Sequence, residues 1–311
     1  MKVASALPLL VITSLSTSLP AFAQDESLMP TFYGKVNVTE VLNQPDRGES
    51  SGELESNASR IGLEGGYAIS DGLKLIYQAE YQVNPNDDHF TNFNLSQRNT
   101  FIGLEGGFGS VIVGRNDTPS KLLQNGIDLF NDLNGDIKSL FLSEIRPNDV
   151  VQYTSPTMNG FTASYAAIID GQKNIGDRAT KSSSSSITYG QGAFLFGVAM
   201  DNSVVNVDSV RFMSRYREGN LQLGLMYESA KTKRGDKDGV FVSASYRIDK
   251  LVLKAQAGSA DQKRQGGAQS TVGVDYNLDP KSRVFAFATR TSADNRAVDN
   301  DQLGVGFEHN F

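Results

Sequence analysis

The chain has no cysteine, no tryptophan, nine prolines and two histidines in 311 residues. Without cysteine there is no disulfide framework and no thiolate to hold zinc, so a small stapled fold is excluded. The two histidines, His89 and His309, fall in distant segments. They offer neither a metal-ligand cluster nor a nucleophile with base and orienting acid, so no metal site, no cofactor and no catalytic centre is expected. Basic excess is missing as well: the formal charge is −6, which argues against nucleic acid as a partner. Long apolar runs are missing beyond residue 23, where nothing approaches the ~20 residues that a transmembrane helix needs. A mean hydropathy of −0.31 therefore excludes a bundle of membrane helices. It leaves a membrane β-barrel open, because only alternate residues of such a strand face lipid.

What is present begins at the N-terminus. Lys2 precedes an apolar stretch from Ala4 through Leu15, and the segment closes on the small-residue pattern Ala21-Phe22-Ala23. Ser14, Ser16, Thr17, Ser18 and Pro20 interrupt it too early for a membrane span, so the reading is a secretory signal peptide over 1–23 with cleavage before Gln24. The remaining 288 residues, 24–311, carry 28 basic and 35 acidic side chains and are read as one large β domain.

From Thr31 onward the apolar residues recur with period two, which fits strands and no helix face. Leu221, Leu223, Leu225 and Tyr227 share one side against Gln222, Gly224, Met226 and Glu228. Val240, Val242, Ala244, Tyr246 and Ile248 repeat the arrangement, as do Phe161, Ala163, Tyr165, Ala167 and Ile169. Sixteen strands are expected, starting near Thr31, Ser56, Leu73, Gln97, Ser110, Asn148, Gly160, Ser182, Ala193, Asp208, Leu221, Gly239, Leu251, Ser270, Ser282 and Gln302.

Tight turns such as Ser70-Asp71-Gly72, Gly190-Gln191-Gly192, Glu218-Gly219-Asn220 and Asp279-Pro280-Lys281 alternate with longer polar connections. The longest runs from Asn116 to Pro147. Sorting by parity is the mark of an up-and-down membrane barrel with brief turns on one side and longer loops on the other, and ~16 strands leave an aqueous bore.

Aromatics recur at strand ends for interfacial girdles: Phe161, Tyr165, Phe194, Phe196, Tyr227, Tyr246, Tyr276, Phe285, Phe287 and Phe307, all expected on the outer side. Arg211, Arg215 and Arg217 share the opposite face of their strand and are expected on the pore wall.

Several stretches resemble the Gram-negative general porins in order along the chain. Thr31-Phe-Tyr-Gly-Lys-Val-Asn-Val38 resembles that family's first strand and Ser56-Asn-Ala-Ser-Arg-Ile-Gly-Leu-Glu-Gly65 its second. Gln97-Arg-Asn-Thr-Phe-Ile-Gly-Leu-Glu-Gly106 with Val113-Gly-Arg-Asn116 resembles strands four and five, and Phe311 the terminal aromatic read by the barrel-assembly machinery.

The resemblance implies an all-β fold, a sixteen-stranded antiparallel transmembrane β-barrel with an inward-folded third outer loop, here 116–147. It implies a homotrimer in the outer membrane of a Gram-negative bacterium, in contact with lipid and lipopolysaccharide, passing small hydrophilic solutes by diffusion. It places Arg60, Arg98 and Arg146 on the wall of a constriction facing Asp128 and Asp132 on the loop, with Arg115 a further wall arginine. With an acidic chain, a mild cation preference is expected.

Two points resist this reading: Ile102 and Leu104 fall on the side of Arg98, and Ser182 to Ser186 show no alternation. Other readings are an oligosaccharide-specific porin, an adhesive or phage-receptor barrel, and a barrel lipase. The first needs an aromatic track in the lumen, for which only Tyr33 and Phe241 are visible. The last needs a serine beside His89 or His309.

Overall fold

A computed structural model of the protein describes residues 30–83, 95–124, 126–169, 182–232, 235–295 and 299–311. The proposed signal peptide 1–23 and His89 lie outside these residues.

Seventeen strands are present among the described residues: Thr31–Pro45 (β1), Ser51–Ser56 (β2), Arg60–Ser70 (β3), Leu73–Val83 (β4), Leu95–Gly106 (β5), Gly109–Arg115 (β6), Val150–Thr154 (β7), Phe161–Ile168 (β8), Ser182–Gln191 (β9), Phe194–Val204 (β10), Val207–Glu218 (β11), Leu221–Thr232 (β12), Gly235–Ile248 (β13), Leu251–Ala260 (β14), Ala268–Asn277 (β15), Ser282–Ser292 (β16) and Asn300–Asn310 (β17). Apart from β2 and β3, consecutive strands pair antiparallel, and β1 pairs with β17, so the sheet closes on itself. Both β2 and β3 pair with β1. They are one stave interrupted at 57–59, where Ala58 takes φ +50, so the barrel has sixteen staves. Closure leaves no edge strand to be satisfied, which a lipid environment requires.

The expected strand starts fall on or near observed ones. The largest differences lie on the long-loop side, where β2 begins at Ser51 and β13 at Gly235. These hairpins continue as paired ribbon whose residues are largely polar, so the alternation that marks a lipid-facing strand is absent there. One long connection is missing altogether: β10 and β11 are joined by Val205 and Asn206 alone, with φ +49 and +65, the left-handed pair that a two-residue hairpin turn requires.

The outward face is apolar. Leu223, Leu225, Tyr227, Val240, Val242, Val272, Leu303 and Val305 are exposed, while Gln222, Glu228, Ser243, Gln256, Thr271 and Thr289 on the other face are buried. Toward the short-turn end, aromatics form part of a girdle: Phe161 meets Tyr189 at 4.5 Å, and Phe194 meets Tyr216 at 4.9 Å. Phe285 and Phe287 are corrections. They face inward and are buried against Val41, Phe130 and Leu133. Strand alternation alone would assign them to the face opposite Val284, and their aromatic character hid that.

The difficulty at Ile102 and Leu104 is resolved by a β-bulge. Opposite β4, Ala79 pairs with Thr100 but Tyr81 pairs with Gln97, so β5 carries one extra residue at 98–99. The extra residue inverts the phase. Arg98 turns inward to Glu80 while Ile102 and Leu104 turn outward and are exposed.

The absence of cysteine gives a clean test of the two faces. In protein reconstituted in lipid, Arg215→Cys is expected to react with a charged, water-soluble thiol reagent and Phe212→Cys to resist it. The reverse pattern would mean that β11 is one residue out of register.

Candidate functional site

The connection 116–149 packs on the polar face of the sheet and so lies inside the barrel. Thr118 starts it by accepting a hydrogen bond from the Lys121 backbone N–H (3.1 Å), capping the single helical turn Pro119–Leu122 (α1). Leu123, Ile127, Ile137, Leu140 and Phe141 then bury themselves against Ala199, Met213, Met226, Phe241 and Ala260 of the wall.

The wall is shaped to receive them. Gly224, Gly239, Gly258 and Gly273 face inward on β12 to β15. A side chain begun at these positions would stand 2.7–2.8 Å from Ile127, Phe141, Leu140 and Phe130 respectively. Inward glycines on four consecutive staves therefore mark a trough in which the loop lies. Phe130 sits edge-on to Phe287 at 6.3 Å, with the Lys254 ammonium 4.5 Å from its ring centre.

Polar anchors complete the attachment. Arg211 is 0 % exposed, its Nε 2.6 Å from Glu228 Oε2 and its Nη1 2.8 Å from Glu144 Oε1 and 3.1 Å from the Ser120 carbonyl. Arg211 faces inward as expected of the pore wall, but the expectation that it lines the bore is corrected: it is sealed beneath the loop and neutralised. Gln256 accepts from the Leu129 N–H and donates to the Gly135 carbonyl, both at 2.8 Å.

Asp128 is corrected too. Its carboxylate accepts from the backbone N–H groups of Phe130 and Ile137 and from Gln256, each at 3.1 Å, and it is buried. Burial, with Asp136 beside it, raises its carboxyl well above the ordinary range. It shapes the loop and does not face the gap.

Asp132, four residues on, takes φ +67 and reaches the opposite wall. Its Oδ2 lies 2.6 Å from Arg60 Nη2 and 2.9 Å from Lys35 Nζ. Burial alone would raise this carboxyl, but Lys35 and Arg60 outweigh burial and hold it down at about 2. Arg98 Nε lies 2.6 Å from Glu80 Oε1, and Arg60 Nη1 is 3.8 Å from the same oxygen.

The alternation continues the other way round the wall. Lys35 lies 3.8 Å from Glu308, Arg283 bridges Glu308 and Asp275 at 3.1 and 2.6 Å, and Lys254 meets Asp275 at 2.8 Å. A belt of alternating charge thus crosses eight consecutive staves from β14 to β5. Separately, Arg146 and Lys121 hold Asp117 at 2.9 and 3.0 Å.

Between the loop and the wall of β3 to β5 is a cavity of about 680 Å³. Arg60, Arg98, Arg146 and Asp132 line it together with Glu80, Asp136 and Glu144. In all, six carboxylates and five cations surround it, a nearly neutral mixture. Arg115 is not among them. It continues the outward register of Val113 and donates to Asn148.

Arg215 and Arg217 keep the inward register of β11, nearer the short turns. Phe311 lies outward at the seam, its ring over Gly34, its N–H bonded to the Gly34 carbonyl at 3.0 Å and its carbonyl to the Gly34 N–H at 3.1 Å.

Sequence reasoning missed Lys35, Glu80 and Glu144. Glu80 had a usable signal, since it alternates with Gln78 and Gln82 opposite Tyr77, Ala79 and Tyr81 and is the one acid of β4. Glu144 had none, because its position depends on where an irregular loop settles.

A family model described as "Gram-negative porin" matches residues 6–310. Outer membrane porin protein 32 of Delftia acidovorans is 25% identical over 89% of this chain and 87% of its own length. Major outer membrane protein P.IB of Neisseria meningitidis serogroup B is 26% identical over 99% and 86%. Among solved structures, an anion-selective porin from Comamonas acidovorans superposes with a TM-score of 0.73 at 21% identity, covering 91% of this chain and 99% of that one. Salmonella typhi OmpF gives 0.73 at 17% identity, covering 91% and 97%.

Proposed function

The chain belongs to the Gram-negative porin family, and from that membership we propose that solutes pass through the gap between the inner loop and the wall of β3 to β5. The protein is an outer-membrane porin, a closed barrel enclosing a water-filled channel for passive diffusion. The observation that carries the reading of its narrow point is the polar cavity in which Arg60, Arg98 and Arg146 stand with Asp132, Glu80 and Glu144.

Such a surface offers a hydrophilic solute replacement partners for the water it sheds. An apolar solute must displace ordered water without replacing those interactions. Low-dielectric protein around the gap strengthens the local field, while salt screens it over ~8–10 Å. The near balance of charge in the lining supports a weak preference, on the cation side.

Family membership supports passage without chemistry, and the inward aromatics Tyr33, Phe241, Phe285 and Phe287 are tied up rather than lined along the bore: Tyr33 is held by Glu80 and Gln78. The inward rings Phe241, Phe285 and Phe287 are buried, the first against Phe141 and the other two with Phe130. The working unit is a homotrimer, as the family resemblance implies, seated in lipid and lipopolysaccharide and delivered by the barrel-assembly machinery through Phe311.

Swelling of proteoliposomes tests the diffusion reading. Rates should fall smoothly with solute size, rise linearly with concentration and favour hydrophilic over apolar solutes of equal volume. Saturation by one oligosaccharide, with poor passage of smaller sugars, would favour a substrate-specific channel instead.

A further inference from the structure

We propose that Gln262 is a positioning residue for the passage, a latch that holds the return limb of the inner loop, Lys138 to Leu142, against the wall of β12 to β14 and clear of the gap. The proposal rests on the channel reading above and adds to it the part that keeps the gap open. Asp261 to Gly267 join β14 to β15 on the long-loop side. Gln262 has a side chain usually found in water at such a place, yet it is 3 % exposed. A buried amide must find protein partners for its donors and its acceptor. Its Oε1 accepts from the Leu142 N–H at 2.9 Å, and its Nε2 donates to the Glu228 carbonyl at 3.2 Å. One side chain thus ties the connection both to the inner loop and to the long-loop half of β12. Beside it, the Lys263 ammonium donates to the Lys138 carbonyl.

The latch is firmly mounted. Asp261 Oδ1 accepts from the Gly266 N–H at 2.7 Å, and the Asp261 N–H donates to the Asp238 carbonyl at 3.2 Å. The Gln265 carbonyl accepts from the Asp294 N–H at 3.0 Å, so the next long connection leans on this one. Gly266 takes φ +64, and a side chain there would collide with Asp294, which keeps the two connections in direct contact. The limb that is held has a reason to move. Leu140 and Phe141 sit in the trough, while Lys138 and Ser139 before them and Glu144 after them line the gap. Without the acceptor on Gln262, the backbone at Leu142 can pivot about the trough residues. The wall blocks one side, so the movement is toward the gap.

The test is the permeation of a size series of neutral sugars into proteoliposomes, read as the rate of the largest permeant sugar divided by that of the smallest. Gln262→Ala should lower this ratio about twofold or more, and single channels should spend about fivefold more time at a partly closed level, the shift expected for a lost hydrogen bond. A loss of folded channels would slow all sugars alike and leave the ratio unchanged, so the ratio separates positioning from folding. The chain has no cysteine, which permits a rescue. With Gln262→Ala in place, Lys138→Cys and Lys263→Cys joined by a short, cleavable bifunctional thiol reagent should raise the ratio, and cleavage should lower it again. A Gln262→Ala channel with the wild-type ratio and a quiet current overturns the proposal, as does a cross-link that leaves a lowered ratio where it was. Wild-type protein that passes no sugar would instead contradict the channel reading, so the two fail separately.

Discussion

Arg211→Met is expected to destabilise the attachment of the inner loop by about 3–5 kcal/mol, the usual cost of removing one partner from a buried charge cluster. The residue is fully buried between Glu228, itself 0 % exposed, and Glu144. Its loss strands two carboxylates away from water and removes the donor to the Ser120 carbonyl. The loop should then fluctuate in the bore. Single-channel recordings should show increased open-channel noise, and the folded form should melt earlier in detergent. Combining Arg211→Met with Glu144→Gln and Glu228→Gln should recover much of the loss, because no charge is then left unpaired. A quiet, wild-type channel from Arg211→Met alone would mean that the hydrophobic trough holds the loop unaided.

The second large effect concerns charge selectivity. Asp132→Asn removes the carboxylate shared by Lys35 and Arg60 and leaves Arg60 facing the gap without it. The reversal potential in a salt gradient should move toward anions. Arg60→Ser with Arg98→Ser leaves Glu80 and Asp132 with fewer partners and should move it toward cations. The Asp132 carboxyl is held at about 2, so its charge, and the shift on removing it, should persist across pH 5–8. By linkage, the stability it contributes is fully present above the ordinary aspartate range and is lost as pH falls from that range through about 2. Asp128→Asn makes a useful contrast. It faces the loop interior, so it should alter loop stability and leave the reversal potential where it was.

The barrel was legible in the sequence wherever one strand face meets lipid, because there the pleat forces alternation of apolar and polar residues. Leu221 to Glu228 and Val240 to Ile248 read correctly for that reason. The signal failed where the constraint lapses. The upper ribbons of β2 and β13 have no lipid face, and the bulge at Arg98 shifts phase without leaving a mark in composition. Phe285 and Phe287 misled because an aromatic serves equally in a girdle and under a loop. Within the site, Arg60, Arg98, Arg146 and Asp132 do come together, while Asp128, Arg115 and Arg211 do not join them at the cavity. Which acid of a loop faces the gap depends on its turns, and Asp132 was indistinguishable from Asp128 without its φ of +67 and the neighbouring cations. Inward glycines at 224, 239, 258 and 273 were readable as a pattern, since each lies at an inward position of its own alternation.

Planar-bilayer recording of the purified protein decides whether this barrel encloses a permanently water-filled bore narrowed by the loop. Stepwise ohmic conductance is expected, rising in proportion to bulk salt, in groups of three steps, with a reversal potential displaced slightly to the cation side. Correctly folded protein that inserts and yields no conductance would contradict it.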